Sequence, residues 1–189
     1  MTSVLYLVIL IVAFVAVYFL VPPVLGAYVK YRGKRIITCP ETKRPAAIDV
    51  DATHAALTAA LGRPDLRLKD CSRWPARSDC GEECLLQVEA WPKECLVGTI
   101  VKDWYAGKKC VFCGSEFGAE HFLEHKPALL GVDGKTIEWI DVRPELLPDV
   151  LANHKPVCWN CHIAETFRRE HPEMVLDRSY SDGAGVGKR

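Results

Sequence analysis

A chain of 189 residues with 24 basic and 24 acidic side chains carries no net charge at neutral pH, so its bulk charge selects neither a polyanionic nor a polycationic partner. The first 29 residues hold no charged side chain, and the rest of the chain is the size of one ordinary domain, long enough to bury a core. Nine cysteines are the compositional outlier, and their role depends on the compartment they occupy.

Val4 to Val21 is an unbroken run of apolar and aromatic residues. About 20 such residues in helical conformation cross a hydrocarbon core of ~30 Å, so residues 1–29 read as a transmembrane anchor. A cleaved signal peptide would want a basic residue ahead of a shorter apolar core, and Met1 to Ser3 supply none. Lys30, Arg32, Lys34, Arg35, Lys43 and Arg44 all lie after the span. By the positive-inside tendency the remainder faces the cytoplasm, from a bacterial inner membrane or a plasma membrane that the chain crosses once. A reducing compartment disfavours disulfides and makes paired cysteines metal ligands.

Residues 30–109 read as a cysteine-containing, mostly helical region. Asp51 to Leu61, closed by Gly62, has the pattern of a short capped helix, and Leu66 to Lys69 that of a strand. Glu82 to Ala90 and Glu94 to Tyr105 read as helices separated at Pro92, the second with Leu96, Ile100 and Trp104 as its core-facing stripe. Residues 110–176 form a second unit. It has a tight turn at Cys110 to Gly114, a hairpin over Leu129 to Ile140 across Asp133 and Gly134, a helix over Pro144 to Ala152 and a last helix running from Cys158 or just after it to about Glu170. Residues 177–189, with three glycines, read as a disordered tail.

Two C-x-x-C pairs, Cys110 with Cys113 and Cys158 with Cys161, bracket the hairpin. Each pair sets two thiolates on one side of a turn, and two such turns complete a tetrahedral sulfur shell around zinc at ~2.3 Å per bond. Knuckle, hairpin and a second pair opening a helix is the order of a treble clef. Cys39, Cys71, Cys80 and Cys84 form a looser set, open to a second zinc, an iron–sulfur cluster or, on the outer face of a membrane, disulfides. Cys95 reads as a core residue. The text Cys158-Trp159-Asn160-Cys161-His162 also has the form of a c-type haem attachment site, with the histidine as axial ligand, which would make the chain a monohaem electron carrier.

Glu124-His125-Lys126-Pro127 and Asn153-His154-Lys155-Pro156-Val157-Cys158 through His162 resemble the two halves of the HNH nuclease signature, over about a third of the chain. The resemblance implies a ββα-metal site supported by structural zinc. His125 would be the general base, with Glu124 where the family usually has aspartate, Asn153 as the middle asparagine and His162, or His171 beyond it, as the last histidine. A second divalent ion would polarise a phosphodiester there. From Cys110 to Val175, however, eleven acidic residues face six basic ones, which disfavours nucleic acid as a partner. The expectation is therefore an α+β chain: a transmembrane helix, then a small cysteine-rich domain with a treble-clef, HNH-like zinc module. It would serve protein interaction or assembly at the cytoplasmic face, with nuclease and haem carrier as alternatives.

Overall fold

A computed structural model describes residues 2–76, 79–118 and 126–174, with side chains from residue 4 onward. Helix α1 spans Thr2–Tyr31 and has two regimes. As far as Pro23 its side chains are almost all exposed, an apolar surface with no protein against it. Beyond the Pro22-Pro23 step one face turns inward: Val24, Ala27 and Tyr31, spaced by three and four, join the first core. Helix α2 (Ala52–Ala59) meets that face with Ala52, Ala55, Ala56 and Ala59, whose methyl groups permit close approach. Asp51 caps α2 by accepting from the His54 amide at 2.9 Å.

Beneath these helices lies an antiparallel sheet of β1 (Arg35–Thr38), β2 (Pro45–Val50) and β3 (Leu68–Cys71), in that order. Only β3 was anticipated, two residues early. The second strand opens on proline and two alanines, so its strand character comes from pairing on both edges rather than from its own residues. Helices α3 (Leu85–Ala90) and α4 (Val97–Tyr105) come next as expected, shortened at their starts. The core-facing stripe of α4 is displaced by one residue: Val101 and Tyr105 are buried, while Ile100 and Trp104 flank them. The bridge between Arg35 and Leu96 and the Val97 amide bonded to the Lys34 carbonyl commit Leu96 to pairing with β1, so the helix begins only at Val97.

Arg35 is the largest fully buried side chain among the described residues. Its Nη1 donates to the carbonyls of Tyr31 (2.6 Å) and Gly33 (2.7 Å), and its Nη2 to that of Lys30 (2.7 Å). These groups include carbonyls that the end of α1 leaves unpaired, and a cation there also answers the helix dipole. Burial pushes the guanidinium below its ordinary pKa, and the Cys95 thiol beside it opposes that shift. Arg35 thus belongs to the interior, and the basic flank after α1 consists of its neighbours.

The second sheet has the order β5-β4-β6, from β4 (Ala128–Leu130), β5 (Thr136–Glu138) and β6 (Lys155–Val157). The β4 to β5 turn carries Gly134 at φ 75°, as the Asp-Gly pair implied. Two short 3-10 turns lead into α5 (Leu147–Asn153), and β6 runs into α6 (Trp159–Glu170). Val101 and Tyr105 share a core with Leu129, Leu147 and Leu151, so residues from both sides of position 109 pack together. Tyr105 Oη donates to the Ala128 carbonyl at 2.6 Å, fixing α4 to the middle strand. The expected tail over 177–189 lies outside the described residues.

Candidate metal centre

The turn at Cys110 is closed by two backbone bonds: Cys110 N to Ser115 O and Gly114 N to Cys110 O, both 2.9 Å. Gly114 at φ 73° supplies the left-handed residue that this reversal needs. The Val111 amide bonds to Pro156 O at 3.1 Å, which fastens the turn to β6. From β6 the chain passes directly into Cys158, the N-cap of α6, with Cys161 in the first turn of the helix. Strand and turn thereby carry the two pairs to one point.

There the sulfurs of Cys110, Cys113, Cys158 and Cys161 all lie within 4.8 Å of one another, with Cys113 and Cys158 at 3.6 Å. A tetrahedron with bonds of ~2.3 Å has sulfur-to-sulfur edges of about 3.8 Å, so four thiolates in this arrangement can hold a metal ion such as zinc. Polar neighbours support the set: Cys158 N donates to the Cys110 sulfur at 3.3 Å, and the hydroxyl of Ser115 lies 3.2 Å from the sulfur of Cys113.

The sulfurs respond unequally to their surroundings. Bonds from the Ser115 hydroxyl and amide hold Cys113 down to about 6. For Cys110, burial works upward, but amide bonds from Cys158, Cys113 and Phe112 outweigh it. Burial and the crowding of neighbouring sulfurs push Cys161 up, and burial does the same to Cys158. Two thiols favour the anion and two resist it. A bound divalent cation would let all four ionise together.

The remaining candidates fall elsewhere. His162 is buried, and its Nδ1 lies 2.8 Å from Thr136 Oγ1 while Nε2 lies 4.0 Å from Glu138, so the ring pins α6 to β5. Asn153 Nδ2 donates to Asp149 O at 2.8 Å on its own helix, and His171 Nδ1 lies 3.6 Å from Glu173. Glu124 and His125 lie outside the described residues. Cys39, Cys71, Cys80 and Cys84 line one small cavity in the first half, although no three of them meet the 4.8 Å spacing of the first set. Cys95 packs half-buried against the first core, beside Arg35. Sequence reading missed Thr136, for which a lone threonine in a short strand gives no signal, and Ser115, which was legible only as the residue after the knuckle. The chain matches no protein-family model, none of the curated proteins and no solved structure.

Proposed function

We propose that this protein is a membrane-anchored zinc module, facing the cytosol, that serves protein interaction or assembly. The convergence of four cysteine sulfurs within 4.8 Å carries the reading. An all-thiolate, closed shell is the donor set of structural zinc and leaves no open position for a substrate. The order of knuckle, hairpin and cysteine-headed helix supports a treble clef, of the kind the HNH signature also uses. Helix α1 is long and apolar enough to cross a membrane, and the almost fully exposed side chains from Val4 to Pro23 support that role. The basic residues that stay at the surface after it favour an inner or plasma membrane with the domain inside.

The knuckle presents the exposed side chains of Val111 and Phe112 directly beside the sulfurs. Apolar groups at the tip of a metal-rigidified turn are a suitable contact surface for another protein. A haem at Cys158 and Cys161 would need His162 as ligand, but that ring is buried against β5, with Nε2 toward Glu138, and the two thiols face Cys110 and Cys113.

Site-specific photo-crosslinking from position 112 in intact cells tests the proposal. A discrete protein adduct in the membrane fraction, lost in the Cys113→Ser/Cys161→Ser double variant together with one equivalent of zinc, is the expected result. A Soret band that survives denaturation, or nicking of DNA by the full chain with magnesium or manganese, overturns it.

A further inference from the structure

The first half of the molecule contains a second turn built like the knuckle. Cys39 N donates to Arg44 O at 2.9 Å and Lys43 N to Cys39 O at 2.8 Å, the same two bonds that close the turn at Cys110. The fifth residue again has positive φ: 57° at Lys43, against 73° at Gly114. Lysine there is strained by about 1 kcal/mol or more, so the surrounding structure holds the turn in place. The amides of Glu41 and Thr42 bond to the Cys39 sulfur, as those of Phe112 and Cys113 bond to Cys110. The difference lies in the fourth position, where Thr42 replaces the second cysteine. Its hydroxyl accepts from Arg73 Nη1 at 3.0 Å.

Three other chain segments bring cysteines to this turn. Cys71 ends β3, Cys80 lies on the loop after it and Cys84 immediately precedes α3. All four line a single cavity of about 140 Å³, with Arg73 on its wall. Cys71 and Cys84 are buried, while Cys39 and Cys80 are half-buried.

We infer that Cys39, Cys71, Cys80 and Cys84 form a second, separate thiolate metal site, with the Cys39 turn as its knuckle and the other three sulfurs contributed one at a time. The donor set selects a soft transition metal: zinc, or iron with or without inorganic sulfide. A tetrathiolate zinc site carries two net negative charges, and Arg73 is placed to offset part of them. The site is independent of the interaction proposed for the first one.

Metal content of the full chain, purified in detergent under reducing conditions, tests the inference by elemental analysis and native mass spectrometry. Two metal equivalents per chain are expected, where a site is one zinc, one iron or one cluster. Cys71→Ser and Cys39→Ser should each halve that content while keeping the equivalent that Cys113→Ser/Cys161→Ser removes. Cys39 is half-buried, so its variant reports even where Cys71→Ser fails to fold. Acid-labile sulfide and visible charge-transfer absorption identify a cluster, and their absence with zinc present identifies zinc; either metal satisfies the assignment. A single equivalent that Cys39→Ser leaves in place overturns it, as does recovery of these four residues as disulfides after native alkylation. Loss of metal confined to Cys39→Ser and Cys71→Ser would instead refute the first site and leave this one standing.

Discussion

The two cysteine quartets start from the same backbone turn and differ in how the remaining sulfurs arrive. At the first, each pair is local: two residues separate its members, and one strand-to-helix junction delivers the second pair whole. At the second, each sulfur comes from a different segment, and Thr42 fills the position that would have made the turn a pair. A site of paired ligands depends on two loop geometries, whereas one of single ligands depends on the tertiary fold of β1, β3 and α3. The two halves should therefore differ in what their sulfurs depend on: in the second the metal organises the hairpin and α6, whereas in the first the packing around α1 and Arg35 must already be in place for the four sulfurs to meet.

The largest expected effect breaks the second half alone. Structural zinc contributes roughly 10–16 kcal/mol to folding of small domains. Cys161→Ser should accordingly lose one metal equivalent and the near-ultraviolet circular dichroism of Trp139 and Trp159, while the helical signal of α1 and α2 persists. An intact tryptophan signal would show that the hairpin core stands without metal. Next in size, Arg35→Met removes three bonds to carbonyls at the end of α1. Leaving such groups buried and unpaired costs about 3 kcal/mol, measurable by denaturant unfolding in detergent, with metal at the first site retained. The smallest is Tyr105→Phe, which deletes the 2.6 Å bond to Ala128 O and should cost ~1 kcal/mol in the second half with no change in metal content.

Local signals were legible and pairing was not. The C-x-x-C spacing, the Asp133-Gly134 turn and the α6 helix each rest on residues within a few positions of one another, and the structure places all three where the sequence put them. The sheet of β1 and β2 escaped notice because Pro45, Ala46 and Ala47 carry no strand preference and are held by neighbours distant in sequence. Arg35 read as one more basic residue in a flank, since nothing local shows that its guanidinium folds back on the preceding helix. The Cys39 knuckle was hidden for the same reason. Its positive-φ position holds lysine rather than glycine, so only the folded backbone shows the turn.

The seam between α1 and the first sheet has a mechanical consequence. A 30-residue helix is about 45 Å long, and here its final turns are embedded in the core and sealed by Arg35, with only Arg32 to Lys34 before β1. No loop separates rod from head, and the place on the helix where it can bend is the Pro22-Pro23 step, which removes two backbone donors. The standoff of the Cys110 knuckle from that step is set by the fold rather than by the reach of a tether.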